Sequence, residues 1–293
     1  RQLDAASAFV PQNFGNGSDN KFAFNSIQNR NFRYIANTIL NAGFLQFDNK
    51  LSDGIRVVWG LRVENFDQLV GSVKKWDPRH TYSKVTDYLP GVNATIKLGQ
   101  KSNLRATVSQ TVIRPELREL AALSIYDFEL NASVSGNPSL KRTKITNTDL
   151  RYELYPAAGE MFTFGVFYKN FENPIESIYN EGAGGSSLFS FQNVSQATAF
   201  GFEIEGRKKL NKRFTLQANG SYINSKIDDA SLNVSRALQG QSPYLINTGL
   251  LYDVLEKGFN MTVLFNQVGK RIYLVGDLQA GASTPDVFEN PRA

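Results

Sequence analysis

Apolar and polar residues alternate in several segments of this chain, which is the pattern of β-strands with one apolar and one polar face. In residues 55–64 one parity is apolar throughout, while the other carries Arg56, Arg62 and Glu64 with one Val and one Gly. Residues 149–154 alternate in the same way. These segments predict antiparallel strands that have two different faces.

Two further segments follow the pattern less cleanly. In residues 200–210 apolar positions oppose charged ones until Lys208 breaks the apolar parity, and in residues 162–169 Phe167 falls among the polar positions. Together the patterns predict ten long strands. Their ranges are residues 34–49, 54–66, 87–98, 103–112, 143–155, 160–171, 197–210, 213–225, 244–255 and 259–268.

The connections between these strands are alternately short and long. The short ones contain Gly, Pro, Asn or Asp, which favour tight turns, and are residues 50–54, 99–103, 156–160, 211–213 and 256–258. The long ones are residues 67–86, 114–142, 172–196, 226–243 and 269 to the end. Outer-membrane barrels have this asymmetry, because their periplasmic turns are short and their outward loops are long. We therefore predict an all-β, antiparallel up-and-down transmembrane β-barrel.

A soluble antiparallel sandwich has the same period of two and is the alternative fold. Strands in globular sheets usually have about five or six residues, whereas a tilted membrane strand needs roughly nine to eleven. The predicted strands have ten residues or more. Their length favours the barrel.

Composition argues against several other classes of protein. The chain has no cysteine, which excludes a disulfide scaffold and thiolate metal sites. His80 is the only histidine, so neither a histidine-based zinc site nor Ser-His-Asp catalysis is expected. Apolar runs long enough for a transmembrane helix are absent from the sequence. We predict no enzymatic activity, no cofactor and no metal.

Aromatic residues and charge are compatible with a barrel. Aromatic residues make up 12% of the chain, and many lie near strand ends, where the interfacial girdles of outer-membrane barrels are found. The net charge of +5 is spread without a basic run, so no nucleic-acid partner is predicted. The predicted location is the outer membrane of a Gram-negative bacterium, with membrane lipid as a partner.

The ten strands either close on themselves or need further strands. An open sheet in lipid would leave two unpaired edges, and each unsatisfied backbone group there would cost several kcal/mol. The chain begins at Arg1 and stops at Ala293, inside what should be an outward loop. We therefore expect it to be an internal part of a larger barrel.

Three motifs in order resemble the C-terminal barrel of TonB-dependent receptors. Residues 109–116 read Ser-Gln-Thr-Val-Ile-Arg-Pro-Glu, residues 136–141 read Gly-Asn-Pro-Ser-Leu-Lys, and residues 149–153 read Asp-Leu-Arg-Tyr-Glu. In that family a strand rises to an Arg-Pro segment, an outer loop carries Gly-Asn-Pro-x-Leu, and the next strand descends with a Glu near its end. The segments at residues 167–170, 173–176, 201–205 and 238–243 are similar to the Bacteroidota branch of the family.

The resemblance covers the chain from about Asn31 onward and has implications for the whole protein. It implies a barrel of about 22 strands that is filled by an N-terminal plug. Such a protein imports a scarce nutrient with energy from the TonB complex. Residues 1–293 would form part of the barrel domain, without the plug, its energy-coupling box or the last strands. A surface lipoprotein lid over the outward loops is a further partner of interest.

Charged residues on the polar strand faces are expected to line the lumen and to contact either one another or the plug. These candidates are Arg56, Arg62, Glu64, Arg105, Asp149, Arg151, Glu153, Glu203, Glu205 and Arg207. Substrate capture is expected on the outward loops, because ligand-binding groups concentrate on loops held by a rigid scaffold. The loop candidates are Arg114, Glu116, Arg118, Tyr126, Phe128, Asn137, Arg236, Gln239 and Gln241.

Three functions of different classes are open from the residues. Energy-coupled transport of a siderophore, cobalamin, oligosaccharide or peptide is the first. A passive porin or adhesin-like barrel is the second, and a soluble glycan-binding sandwich is the third. The paired carboxylates Glu203 and Glu205 do not predict a glycoside hydrolase, because strand alternation alone produces their spacing.

Overall fold

A computed structural model of the chain describes residues 10–15, 21–23, 34–181, 187–229, 234–254, 258–277 and 284–292. The chain divides into two compact units, Arg1–Tyr34 and Ile35–Ala293. In the first unit a 3-10 turn, Pro11–Asn13, precedes a bridge between Phe14 and Phe22. The long strands belong to the second unit.

In chain order the strands are β1 (Ile35–Lys50), β2 (Ile55–Gly71), β3 (Thr81–Lys97), β4 (Ser102–Ile113), β5 (Ser124–Asp127), β6 (Ala132–Ser135), β7 (Thr143–Leu154), β8 (Met161–Glu172), β9 (Ile175–Glu181), β10 (Ser187–Asn193), β11 (Gln196–Lys209), β12 (Phe214–Asp229), β13 (Val234–Arg236), β14 (Tyr244–Val254), β15 (Phe259–Val268), β16 (Arg271–Gly276) and β17 (Val287–Glu289). A one-turn helix, α1 (Leu117–Leu120), lies between β4 and β5. Within the described residues, no helix has the length and hydropathy needed to cross a membrane.

The ten predicted strands form one sheet in the order β1-β2-β3-β4-β7-β8-β11-β12-β14-β15. Each strand is antiparallel to its neighbours, and β13 adds to the outer end of β12. In the described part of the chain, β1 and β15 each pair with one strand only, and β15 has in addition an isolated bridge between Val268 and Arg292. The up-and-down order of the prediction is confirmed.

Strand ends agree with the prediction to within a few residues, with exceptions at the outward ends of β2, β3 and β12. The predicted loop over residues 67–86 was wrong, since β2 continues to Gly71 and β3 already begins at Thr81. The added strand ends are hard to detect because their outer positions, such as Asn65 and Asp67, are polar. Their side chains bond across the strands, with Asn65 donating to Thr86 at 3.1 Å and Tyr82 to Asp67 at 2.9 Å.

The two faces of this sheet differ in chemistry, and we call them the outer and the inner face. The outer face carries exposed apolar side chains on every strand. Examples are Phe47, Trp59, Tyr88, Val108, Phe164, Phe202, Leu250 and Val263. On β2 this apolar band covers the alternate positions of residues 55–63, which is about the length that crosses a bilayer. Beyond it, β2 and β3 project as a hairpin with polar outer positions.

The inner face is polar and its side chains bond from strand to strand. Asn247 donates to Asn219 at 2.7 Å, and Asn266 donates to Asn247 in turn, so one amide ladder joins β12, β14 and β15. Asn93 likewise donates to Thr107 at 3.0 Å between β3 and β4. Phe167, the aromatic residue among the polar positions of β8, lies opposite Gly201 and fills the space that a side chain there would need. A wet interior is the environment these groups require.

One end of the sheet is closed by tight turns. The Asn211 side chain accepts the backbone N–H groups of Arg213 and Phe214 at 2.8 and 2.9 Å, which fixes the turn between β11 and β12. At the neighbouring turn, the Lys208 ammonium bonds to Glu160 at 3.1 Å and holds the pKa of that carboxyl below its ordinary value. Most of the predicted turn at residues 256–258 lies outside the described residues.

At the other end, the long loops assemble into a second sheet, which we call the loop sheet. Its order is β17-β16-β9-β10-β6-β5, so it combines strands from three different loops. The contacts between loops are parallel, β16 with β9 and β10 with β6, whereas the pairs within a loop are antiparallel. Ala132, Val134 and Phe189 form its small buried core. Described segments of three of the predicted long loops therefore pair with one another.

The two faces can be tested with one substitution at adjacent positions of β14. Leu250 lies on the outer face and Leu251 on the inner face. We expect Leu250→Arg to destabilise the protein in liposomes by about 2–4 kcal/mol, because it places a cation in the apolar band. Leu251→Arg should cost no more than about 1 kcal/mol, since its side chain meets water. Urea unfolding in liposomes measures both; equal losses would show that the faces are misassigned.

Candidate functional site

A cluster of five charged side chains lies on the inner face near the outward end of β2, β3 and β4. We call it the rim charge cluster, and it consists of Arg62, Glu64, Asp87, Arg114 and Arg142. Arg114 bonds to Glu64 at 2.8 Å and to Asp87 at 2.6 Å. Arg62 bonds to the other oxygen of Glu64 at 2.6 Å, and Arg142 to the other oxygen of Asp87 at 2.7 Å. Both carboxylates are thus held by two arginines.

The register explains why so many arginines meet here. Glu64 and Asp87 are directly opposite each other on β2 and β3, and both are buried, with 7% and 4% of their surface exposed. Two like charges in that position repel, and each would be costly to bury alone. Arg114 lies between them and stacks on the Phe66 ring at 4.5 Å. The three guanidinium groups therefore make this pair of carboxylates possible.

The sequence predicts only some members of this cluster. Arg62 and Glu64 were predicted as lumen residues and Arg114 as a substrate-binding loop residue, but their mutual contact was not foreseen. Asp87 and Arg142 were not among the candidates. Asp87 occupies the inner parity of β3, which is the signal that could identify it, but it lies at the first position of the predicted strand, next to the predicted loop of residues 67–86.

Lower on the inner face, one ion pair joins the neighbouring strands β4 and β7, and a second joins β7 to β11 across β8. Arg105 and Arg151 face each other in register on β4 and β7, and each forms an ion pair with a glutamate. Arg105 is 2.9 Å from Glu153, and Arg151 is 3.8 Å from Glu203. Arg56, nearer the turns, bonds to Asp48 of β1 at 2.9 Å.

Three further lumen candidates share this face without such a partner. Asp149, Glu205 and Arg207 lie on the inner parity of β7 and β11, and no ion pair joins them to another described residue. Whether any of the lumen candidates contacts a plug stays a prediction.

Arg236 joins the loops to one another. Its guanidinium forms two parallel bonds with Glu176 of β9, at 3.0 and 2.5 Å, and approaches Asp286 at 4.0 Å. Glu176 is almost fully buried. Beside it, Gln239 accepts the Ser177 backbone N–H at 3.1 Å and donates to the Tyr273 carbonyl. The loop between β12 and β14 is thereby attached to both β9 and β16.

Other loop candidates also bond to the chain itself. Asn137 donates to the Phe191 carbonyl at 2.8 Å, and Gln241 donates to the carbonyl of the adjacent Ser242. Glu116 caps α1 in a capping box with Glu119, which places its side chain at the helix start. Arg118 is 3.5 Å from Asp127 at the loop surface.

Aromatic side chains project from two of the loops. Phe128 is 87% exposed and meets Tyr126 edge to face, with the ring centroids 5.0 Å apart. Trp76, in the loop between β2 and β3, is 76% exposed, with the Lys74 ammonium over its ring. The sequence analysis missed Trp76. In this loop Arg79 bonds to Asp77 and holds the pKa of that carboxyl far below its usual range.

No group of three or more His, Cys, Asp or Glu side chains that could hold a metal ion occurs among the described residues. Comparison with known proteins bears on the fold. A scan against protein-family models matches residues 10–284 to the outer membrane protein beta-barrel family. A search of curated proteins gives no match.

Solved structures share the fold at low sequence identity. A mutant of the ferric enterobactin receptor PfeA from Pseudomonas aeruginosa aligns with a TM-score of 0.58 and 16% identity, over 87% of this chain and 36% of that one. The siderophore receptor PirA from Acinetobacter baumannii gives 0.59 and 17%, over 87% and 38%. The copper transporter OprC gives 0.65 and 18%, over 86% and 38%. The chain therefore spans little more than a third of the length of these matched structures, and the predicted barrel fold is confirmed.

The rim charge cluster predicts a large effect of neutralising Asp87. In Asp87→Asn two arginines lose the carboxylate that compensates their charge in a buried site, so we expect a loss of about 3–5 kcal/mol. Urea unfolding of the full-length protein measures it. The matched control is Asp53→Asn, which removes an exposed turn carboxylate paired with Lys50 and should change nothing measurable. Indistinguishable stability of the two variants would contradict a structural role for the cluster.

The Arg236–Glu176 pair predicts a local effect in the loop sheet. Glu176→Gln removes the charge that holds Arg236, and we expect β9, β10 and β16 to open more easily by on the order of 2 kcal/mol. Hydrogen–deuterium exchange of the backbone should then rise about tenfold or more in these strands and stay unchanged in β7 and β8. Glu181→Gln, at the exposed end of β9, is the control. If the exchange rates of β9, β10 and β16 are the same in Glu176→Gln and Glu181→Gln, the proposed attachment is contradicted.

Proposed function

The chain belongs to the outer membrane protein beta-barrel family of Gram-negative bacteria, and we propose that it forms part of the wall and the outward loops of a TonB-dependent receptor. The parent protein would import a scarce nutrient across the outer membrane with energy from the TonB complex. This proposal assigns it transport and no enzymatic activity. It treats residues 1–293 as a partial barrel domain, completed in the parent protein by further strands and a plug.

The observation that carries the proposal is the charge on the lower inner face. A receptor barrel encloses a plug, which needs groups on the wall to hold it. Asp149, Glu205 and Arg207 offer charges to the lumen without an ion pair to another described residue. Arg151 and Glu203 are half exposed and 3.8 Å apart, so their charges are also accessible to a further partner. The proposal of transport is supported by structures of similar fold, which are named as receptors for siderophores and as a copper transporter.

Substrate capture would take place on the loop side. The loop sheet and the Arg236–Glu176 pair provide a rigid support, and exposed rings at Phe128, Tyr126 and Trp76 offer contact surface for a ligand. Among structures of similar fold, PfeA has been determined with enterobactin bound. We propose a siderophore complex, cobalamin, an oligosaccharide or a peptide as the substrate, and a surface lipoprotein as a possible lid.

The proposal is tested by uptake in cells that carry or lack the full-length gene. We expect one of four labelled solutes, a ferric siderophore, cobalamin, an oligosaccharide or a peptide, to be concentrated only by cells with the gene. A protonophore should abolish this accumulation, because the energy comes from the inner membrane. Trp76→Ala and Phe128→Ala should each lower the apparent affinity for the solute several-fold. The control is Trp59→Ala on the outer face, which should leave the affinity unchanged. If uptake continues in the presence of the protonophore and stops when the solute concentrations inside and outside are equal, the protein is a passive porin instead.

A further inference from the structure

The wall parts between β3 and β4 at its outward end. The two strands pair as far as Gly91 and Ser109, and the pairing ends there. Both strands nevertheless continue: β3 runs on to Thr81 along β2, and β4 runs on to Ile113 along β7. In the described part of the chain, the edge of β3 that faces away from β2 pairs with no strand over this stretch. We call the opening the wall cleft.

The bonds at the other end of β3 show which of its residues face the cleft. Lys97 donates its N–H to the Gly54 carbonyl beside β2 at 2.7 Å, and Leu98 donates to the Ser102 carbonyl of β4 at 3.0 Å. Alternate residues of an antiparallel strand direct their backbone groups to opposite neighbours, and the register of β2 with β3 has no shift. Odd-numbered residues of β3 therefore bond to β2, and even-numbered residues face β4 or, beyond Gly91, the wall cleft.

A row of four residues consequently presents unpaired backbone groups to the cleft: Tyr82, Lys84, Thr86 and Tyr88. Among the described residues, none donates to or accepts from their backbone on that side. All four residues are exposed. Pro90, the next residue of the same parity, has no N–H, which explains why pairing with β4 stops beside it. An exposed edge of this kind is a template for a further strand.

The space beside the upper part of this row is open. A cavity of about 430 Å³ lies between β3 and residues 138–142, and it borders Tyr82 and Val85 of the free edge. Its apolar wall includes Phe66 and Leu140. A strand added to this edge would lie about 4.8 Å from β3 and would send every second side chain to one face, toward this wall.

Charge at the cleft favours an acidic occupant. Lys84 and Lys144 flank the cleft on the outer face, and neither forms an ion pair with another described residue. Six basic residues at the cleft outnumber four acidic ones, even when the rim charge cluster is included. The basic residues are Arg62, Lys84, Arg114, Lys141, Arg142 and Lys144, and the acidic ones are Glu64, Asp67, Asp87 and Glu172.

We propose that the free edge of β3 at residues 82–86 binds an extended, acidic segment of a partner protein as an added strand. A row of alternating N–H and carbonyl groups is complementary to an extended chain, and peptides join exposed sheet edges in this way. The segment would place carboxylates beside Lys84 and Lys144 and small apolar side chains against Val85 and Leu140. The inference does not depend on the transport proposal, since the free edge belongs to the wall itself.

The test uses the full-length protein in detergent and the synthetic peptide fluorescein-Thr-Val-Glu-Val-Glu-Val-Thr-amide, whose blocked ends imitate a segment inside a longer chain. Fluorescence anisotropy measures binding, and we expect saturation with a Kd below about 1 mM. Two further peptides carry N-methyl groups, either on both glutamates or on two of the valines. Only one of them should lose binding, by at least tenfold, because only one edge of the added strand faces β3.

A matched pair of variants tests the same edge from the protein side. Lys84→Pro removes a cleft-facing N–H and leaves the bonds to β2 in place, because even-numbered residues take no part in them. Lys84→Ala loses the same charge but keeps the N–H, and should bind the peptide no more than about fivefold more weakly than the unaltered protein. We expect Lys84→Pro to bind at least tenfold more weakly than Lys84→Ala.

Hydrogen–deuterium exchange locates the bound peptide. We expect the peptide to slow exchange of residues 82–86 and to leave residues 93–97 unchanged. If Lys84→Pro does not fold, the two N-methylated peptides decide with the unaltered protein. Equal binding by the two variants, equal effects of the two N-methylations, or no binding up to about 1 mM peptide would each overturn the proposal. A dimer of the protein that Lys84→Pro dissociates would also overturn it, since a second copy would then occupy the edge.

Discussion

In a membrane, every backbone N–H and C=O group must find its partner within the protein, because the hydrocarbon offers none. This single requirement organises the second unit of the chain. Ten strands satisfy it by pairing edge to edge, and the alternation of side chains then sends apolar residues such as Leu250 to lipid and polar ones such as Asn219 and Asn247 to a wet interior. The tight turns at one end and the long loops at the other follow from the direction of the strands.

Beyond the apolar band, water can satisfy backbone groups again, and the structure departs from a continuous ladder. β3 leaves β4 after Gly91, and the bonds of Arg114 and Arg142 to Asp87 take over the connection. At the same level the loops pair with one another and are joined by Arg236 and Glu176. Buried ion pairs are costly where they merely replace apolar packing. Here they connect segments that backbone pairing does not join, and candidate binding surfaces lie beside them.

Periodicity predicted the main sheet well because a strand with one face in lipid and one in water has alternating apolar and polar residues. The prediction failed where this alternation ends. The outer positions Asn65 and Asp67 are polar, so the outward ends of β2 and β3 resembled a loop. The loop sheet could not be foreseen, because its parallel pairs, such as β10 with β6, join segments that are far apart in sequence. Of the rim charge cluster, single members such as Arg62 and Arg114 were found, but the register that sets Glu64 opposite Asp87 is a property of the folded sheet.

The central claim is that this sheet is a wall with lipid on one face and water on the other. Residues 1–293 contain no cysteine, so a cysteine introduced at any one of residues 200–207 of β11 is the only one in this part of the protein. Each of these cysteines can carry a spin label in the full-length protein in the outer membrane, after any cysteine outside this part has been replaced by serine. Electron paramagnetic resonance then compares how readily the spin label at each position is reached by oxygen, which dissolves in lipid, and by a water-soluble nickel chelate. The account predicts strict alternation, with oxygen favoured at Phe200, Phe202 and Ile204 and the chelate at Glu203 and Glu205. Equal access of the chelate at both parities would contradict it and would indicate a sheet that lies in water.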